Sequence, residues 1–335
     1  MIIVPNSPLR RGWGWVNHLT KPHQTKKSPL QKETYTLYMK RDLRIVFMGT
    51  PDFAVPTLQT LVEHKYNVVA VITAPDKPAG RGQKIQQSPV KEYAVSQNIP
   101  VLQPTNLKSE AFLEELRSYK ANLQIVVAFR MLPEVVWSMP ELGSFNIHGS
   151  LLPQYRGAAP INWAIINGEK ETGVTSFFLK HEIDTGDLIS QTRVPILEED
   201  DFGSMYEKLK YEGAALALRT VQAIEQGHVN PQPQVTTSET KHAPKIFKET
   251  CEINWNQPAQ QVRNFIRGLS PYPAAWARFQ DKNFKIFKVD ALENTAYTSE
   301  PGTIHTDNKT FLHVQTAAGA ISILDLQMEG KKRMP

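Results

Sequence analysis

Leu43-Arg44-Ile45-Val46-Phe47-Met48-Gly49-Thr50-Pro51-Asp52-Phe53 is the stretch whose reading decides the fold. Residues 43–48 are an apolar run closed by Gly49 and Pro51, the signature of a buried strand running into a turn. Phe53, Val55, Leu58, Leu61 and Val62 then fall at helical spacing, and residues 68–73 form a second apolar run. Residues 91–97 read as a helix, 101–102 as a short strand, 109–119 as a capped helix and 123–128 as a strongly apolar strand. Strand, helix, strand in this order predicts an α/β domain built on a parallel sheet. Ligands of such sheets bind outside the carboxyl ends of the strands, where Gly49, Phe129 and Asn146 all fall.

Asn146-Ile147-His148-Gly149-Ser150-Leu151-Leu152-Pro153 is the stretch richest in chemistry. In a strand, residues i and i+2 point the same way, so Asn146 and His148 project together into one crevice. An amide N–H and an imidazole there suit acyl chemistry, because both can stabilise an oxyanion, and Asp184 in Ile183-Asp184-Thr185-Gly186-Asp187 offers a carboxylate. Asn at a strand end and His beside Gly are also ordinary turn chemistry. The following string, residues 150–157, has no helical or strand period. It reads as an ordered loop exposing apolar residues, which favours a binding site.

Other enzyme classes fail on local residues. Gly49-Thr50-Pro51-Asp52 has one glycine where a dinucleotide turn needs three. No zinc-ligand pattern or Gly-x-Ser-x-Gly elbow occurs, and His181-Glu182 lacks a second His, so no metal is expected. The single cysteine, Cys251, excludes an internal disulfide framework and fits a reducing cytoplasm. It reads as a small buried residue.

At 335 residues, two domains are the default. An apolar fraction of 41% and mean hydropathy of −0.37 leave no run long enough to span a bilayer. A monomer with no membrane association is expected. The net charge of +5 is unevenly spread. Residues 1–42 hold 8 basic and 2 acidic side chains, 43–240 hold 17 and 22, and 241–335 hold 13 and 9. Acidic middle and basic tail suggest that the second domain meets a polyanion. Residues 1–42 read as a disordered basic extension, possessing no apolar h-region and preceding a second start at Met39. Residues 230–250 are polar and proline-bearing and read as a linker between a domain at 43–229 and one at 251–335. In the latter, a helix at 259–267 precedes short strands at 275–279, 284–289, 311–314 and 321–326, which suggests a small barrel.

Together these strings resemble the formyltetrahydrofolate-dependent formyltransferases, and within them the branch that formylates the α-amine of methionyl initiator tRNA. The resemblance runs from residue 43 to Met334. It implies a Rossmann-like catalytic domain, an OB-like second domain that stops short of the family's last helix, and 10-formyltetrahydrofolate as co-substrate. It also implies Asn146, His148 and Asp184 as the catalytic set, with Asp184 orienting or charging His148 and removing the proton through water. Phe129, Arg130, Met131 and Leu132, with Ser150, Leu151, Leu152 and Pro153, are implied as folate contacts. Phe129-Arg130 departs from the Tyr-Gly of the tRNA-directed enzymes and is similar to the glycinamide ribonucleotide enzymes. Lys77, Arg81 and Lys84, on a loop at 75–88 that reads as mobile, with Lys245 and Lys248, are implied as tRNA contacts. The alternatives are a formyltransferase acting on an amino-sugar nucleotide, or a tRNA-binding protein without catalysis.

Overall fold

The computed structural model describes residues 40–79, 84–295 and 297–334. The expected disordered extension, up to Met39, and Arg81 lie outside these residues. The strand read first is β1 (Arg44–Gly49), followed by α1 (Val55–Glu63) and β2 (Asn67–Ile72). After a hairpin, β3 (Lys77–Ala79) and β4 (Lys84–Gln86), come α2 (Pro89–Ser96), β5 (Val101–Leu102), α3 (Glu110–Ser118), β6 (Leu123–Val127) and α4 (Glu134–Trp137). Next are β7 (Ser144–His148), β8 (Arg156–Gly157), α5 (Pro160–Ile166), β9 (Glu171–Phe178), β10 (Leu188–Pro195) and α6 (Phe202–Gln226).

Seven strands form one sheet in the order β10-β9-β7-β6-β1-β2-β5. The five strands β7, β6, β1, β2 and β5 run parallel, while β9 and β10 add an antiparallel end. Both faces are covered, which is why β1 and β6 read as continuous apolar runs rather than alternating ones. Ile45 and Phe47 face one cluster with Leu58, Leu61, Leu216 and Val221, whereas Val46 and Met48 face another with Phe112, Leu116 and Val136.

The antiparallel end and α6 were not anticipated, and they fix the site strand in place. Asp201 caps α6 by accepting from the Ser204 amide at 2.8 Å, and Ser204 Oγ accepts from the Asp201 amide at 3.1 Å. This reciprocal capping satisfies helix-end donors that would otherwise lack partners. Midway along α6, Gly213 brings the helix onto β7: a Cβ there would lie 3.1 Å from Ile147 Cγ2.

The stretch at 75–88, expected as an irregular loop, is instead a paired hairpin, with Lys77 opposite Gln86. A hairpin standing off the domain has no core face to impose an alternating apolar pattern, so its strands were invisible to periodicity. Its base is pinned where Asp76 meets Lys91 at 2.5 Å and Gln103 at 2.8 Å. The Lys91 bond, then that from Gln103, holds the Asp76 carboxyl below its ordinary range.

Residues 230–250, expected as a linker, are laid along the catalytic domain. Gln232 bridges to Leu188, and β11 (His242–Ala243) pairs in parallel with β8. Polar composition concealed this because the segment contributes main-chain and amide hydrogen bonds more than apolar side chains. Beyond it come α7 (Ala259–Leu269), β12 (Ala275–Phe279), β13 (Lys282–Leu292), β14 (Ile304–Thr306), β15 (Leu312–Gln315) and β16 (Ala320–Met328). These strands form an antiparallel sheet, β12-β13-β16-β15-β14, packed on α7 through Val262, Ile266, Ile286 and Ile321. This is an open, OB-like version of the barrel expected from sequence. The other side of α7 faces the catalytic domain: Arg267 Nη1 donates to Leu197 O and Asp200 O, both at 3.0 Å, and Asn162 Nδ2 donates to Gly268 O at 2.8 Å. Among the described residues no helix is long and apolar enough to cross a membrane.

Candidate active site

The carboxyl ends of β6 and β7 open into a cleft of about 670 Å³ that contains Phe129, Arg130, Met131, Leu132, His148 and Asp184 in its wall. Asn146 lies opposite Val126, itself a wall residue, and shares the His148 face of β7. Asn146 Oδ1 is buried and has no hydrogen-bond partner among the described residues. A buried amide oxygen left unpaired is costly, so the position suits a site completed by a ligand.

His148 is almost fully buried, and its Nε2 lies 2.9 Å from Tyr155 O. A carbonyl can only accept, so Nε2 carries a proton, and in the neutral ring the lone pair is on Nδ1. Nδ1 faces Asp184 Oδ2 at 3.8 Å, too far for a direct hydrogen bond. The Tyr155 carbonyl is thus the hydrogen-bond partner that sets ring and tautomer, and of the two parts expected of Asp184, orienting or charging His148, this spacing leaves room for charge. The edge of the imidazole is further fixed against Phe177, with centroids 6.5 Å apart and planes at 88°.

Tyr155 is itself strongly constrained. Its φ is +61°, its N–H donates to Lys241 O at 2.7 Å, and its hydroxyl donates to Glu169 Oε1 at 2.5 Å. Lys241 Nζ reaches the same oxygen at 2.5 Å. Burial and then the Glu169 bond push the phenol pKa up. Burial alone would raise the Glu169 carboxyl, but hydrogen bonds from Lys241 and Tyr155 outweigh it and leave that group below its usual range.

Asp184 occupies a left-handed bend, φ +55°, and its Oδ2 accepts from the Gly157 amide at 3.0 Å. Gly157 is required here: its φ is +124°, and a Cβ would lie 2.4 Å from Ala243 O. On the far wall, Tyr206 donates to Asp52 Oδ1 at 2.6 Å and accepts from the Phe53 amide at 3.2 Å. Burial and the neighbouring Asp52 raise its phenol pKa.

Ser150, Leu151, Leu152 and Pro153 were expected as folate contacts, and the structure does not place them in the cleft wall. Ser150 and Leu152 are buried. Ser150 Oγ donates to Gln154 O at 2.6 Å, while Thr175 Oγ1 donates to Ser150 O at 2.6 Å and accepts from the Leu152 amide at 3.1 Å. A loop able to satisfy its polar groups against β9 gains by turning its leucines inward rather than exposing them. Arg130 closes its loop by donating to Thr105 O at 3.2 Å and to Pro104 O, with its guanidinium 5.7 Å from the Phe129 centroid.

Lys77 borders a neighbouring depression shared with Phe129 and Arg130. The Lys84 backbone begins β4, and Arg81 lies outside the described residues. Lys245 and Lys248 line a second cavity of about 960 Å³, together with Lys285, Phe247 and Trp276. The two cavities share Ala158, Ala159, Asn162 and Phe202 in their walls, so the cleft continues toward the antiparallel domain. Sequence reasoning placed Tyr155 only within the 150–157 binding loop, with no role of its own, and missed Glu169, Lys241, Gln234 and Tyr206 as parts of the site. For Tyr206 a signal existed, since Asp201 and Gly227 bracket α6 as helix caps. For the others no local pattern marked them.

Comparison with known proteins follows the same two-part division. Residues 43–221 match the family described as formyl transferase, and residues 245–335 match the formyl transferase C-terminal domain. The chain is 58% identical over 303 residues to the methionyl-tRNA formyltransferase of Bacteroides fragilis, covering 88% of this chain and 93% of the relative. It is 59% identical over 304 residues to that of Phocaeicola vulgatus, covering 88% and 94%. Among solved structures, the sugar 3N-formyl transferase WlaRD, crystallised with dTDP and 5-N-formyl-THF, aligns with a TM-score of 0.63 at 21% identity, over 87% of this chain and all of that one. HypX from Aquifex aeolicus in complex with tetrahydrofolic acid aligns at 0.60 and 20% identity, over 88% of this chain and 46% of that one. At such identities the structural likeness concerns the fold alone.

Proposed function

This chain belongs to the formyl transferase family, and on that premise we propose that it transfers a formyl group from 10-formyltetrahydrofolate to the α-amine of methionyl initiator tRNA, an early step of translation initiation. Relatives named for that activity, more than half identical along nearly their whole length, support the reading. The observation that carries the acceptor is the continuity of the cleft with a cavity lined by Lys245, Lys248 and Lys285. Its three lysines outnumber Glu249 and Glu329, a net positive lining that favours a phosphodiester chain.

The residues present fit a folate co-substrate. Val126, Phe129, Leu132, Trp137 and Leu179 give the cleft an apolar side for a flat heterocycle, and Asn146 Oδ1 awaits a donor. The co-substrate supplies a formyl group on nitrogen, electrophilic at carbon. The acceptor amine has a reference pKa of about 7.7 to 8.0, so a useful fraction is neutral without a strong base. Asn146 offers its amide N–H to the oxygen that gains charge during attack. His148, protonated at Nε2 by its bond to Tyr155 O, has Nδ1 available to take up a proton and return it to the leaving nitrogen. Asp184 stabilises the resulting imidazolium through its charge, so the one proton lost by the amine passes, directly or through water, by way of His148 to the leaving nitrogen.

Residues 43–229 would then perform the chemistry and 251–335 hold the acceptor, with Lys77, Arg81 and Lys84 as further contacts to it. We assign the protein to the cytoplasm as a monomer. The test is formyl transfer from 10-formyltetrahydrofolate to methionyl initiator tRNA, run beside an amino-sugar nucleotide and glycinamide ribonucleotide. Preference for the tRNA supports the reading. Efficient use of the sugar nucleotide with none of the tRNA overturns it.

A further inference from the structure

The segment between the two domains does more than connect them. Gln234, half-buried and 50 residues beyond Asp184, donates from Nε2 to Asp184 O at 2.9 Å and to Gly186 O at 2.8 Å. Its Oε1 accepts the Arg156 guanidinium from Nε at 3.1 Å and Nη2 at 2.6 Å. One amide thus uses both donors and its acceptor to join the two strings that hold the catalytic pair. On one side is the bend that carries Asp184. On the other is β8, whose Gly157 amide meets Asp184 Oδ2 at 3.0 Å and which follows Tyr155, the residue that fixes His148.

We propose that Gln234 is a positioning residue for the formyl-transfer reaction, holding the Asp184 carboxylate 3.8 Å from His148 Nδ1. The proposal rests on the activity argued above. The physical case is that a left-handed bend at a non-glycine residue is strained, as the φ of +55° at Asp184 indicates, and persists only when its surroundings over-determine it. The two carbonyls flanking the bend are tied to one side chain that no rotation of the bend can follow. Because Gln234 lies upstream of β11 and of Lys245 and Lys248, one continuous segment runs from the Asp184 bend to the cavity that those lysines line.

Gln234→Glu is the discriminating change. It keeps the size and an acceptor for Arg156, but turns two N–H···O contacts into a carboxylate facing two carbonyls. In the full chain, the expected result is a fall in kcat of about 10- to 100-fold, the range for a displacement of order 1 Å in a catalytic group. KM for methionyl-tRNA and for 10-formyltetrahydrofolate should stay close to the parent's. Gln234→Met, which lacks both donors without adding charge, should fall less, and neither should lower Tm by more than a few degrees. Independently of activity, the Gly157 amide should shift in its ¹H–¹⁵N resonance and exchange faster in Gln234→Glu, because its carboxylate partner has moved while the Arg156 contact remains. A parent that does not formylate methionyl-tRNA overturns the assigned activity, and the Gly157 signal still decides the role of Gln234. An active parent whose Gln234→Glu variant keeps full turnover and an unmoved Gly157 resonance overturns the positioning role. A loss of turnover matched by loss of folded protein does so as well.

Discussion

Replacing Asp184 by Asn isolates the charge beside His148, because the change preserves shape. The side chains of His148 and Asp184 are only 8% and 11% exposed, and their nearest atoms are 3.8 Å apart. Unit charges at about that distance attract by about 4 kcal/mol at an effective dielectric near 20. At about 1.4 kcal/mol per decade that is roughly a thousandfold ceiling on rate, reached only if His148 is fully cationic in the transition state. Since charge on the imidazole is partial there and water reaches the cleft, a fall in kcat of about 10² to 10³ is expected. Asn can still accept the Gly157 N–H through Oδ1, so Tm should change little, and tRNA affinity should stay close to the parent's. The assay is single-turnover formylation of methionyl-tRNA at saturating 10-formyltetrahydrofolate, with melting and tRNA affinity measured on the same preparation. A rate within about threefold of the parent, under about 1 kcal/mol, would sink the electrostatic role. So would a deficit explained wholly by tRNA KM.

Asn146→Ala and His148→Ala should each lower turnover by at least about 10² while leaving tRNA affinity nearly unchanged, and near-normal rates in a folded variant would remove that residue from the mechanism. Arg81→Ala should slow formylation of methionyl-tRNA without weakening folate binding; the salt dependence of tRNA affinity should flatten by about one unit or less for each phosphate contact removed, and a Lys245→Gln, Lys248→Gln double variant should flatten it separately. Stability should fall in acid through Asp200 and Glu169. Asp200 is buried and Glu169 half-buried, which alone would raise both carboxyls, yet Lys208, the Leu197 amide and Ser204 hold Asp200 low, and Lys241 and Tyr155 hold Glu169 low. Their contribution is therefore fully present above the unfolded-state values near pH 4 and is lost as pH falls through the depressed folded values. Urea unfolding across that window should show the slope, and Asp200→Asn should reduce it.

Local sequence determined the parallel core and the pairing of two of the three proposed catalytic residues. Strands β1, β2 and β6 announce themselves because a sheet covered on both faces demands uninterrupted apolar residues, and a residue-by-residue period survives in the primary sequence. Asn146 and His148 could be paired for a related reason, since two residues apart on a strand means one face whatever the rest of the chain does. Position in the tertiary structure decided everything that depends on a partner far along the chain. Which nitrogen of His148 carries the proton is set by a carbonyl seven residues away across a loop that reverses through Tyr155 at positive φ. Ser150 and Leu152 turn inward because Thr175, on a strand not read from sequence, satisfies their backbone. Gln234 stands in a polar stretch indistinguishable by composition from a tether, and its hydrogen bonds to the Asp184 bend span 50 residues of chain beside the pairing of β11 with β8. Periodicity records what each element buries, whereas a single amide's partners are chosen by how the closed chain brings distant backbone together, and that choice leaves no repeating pattern to read.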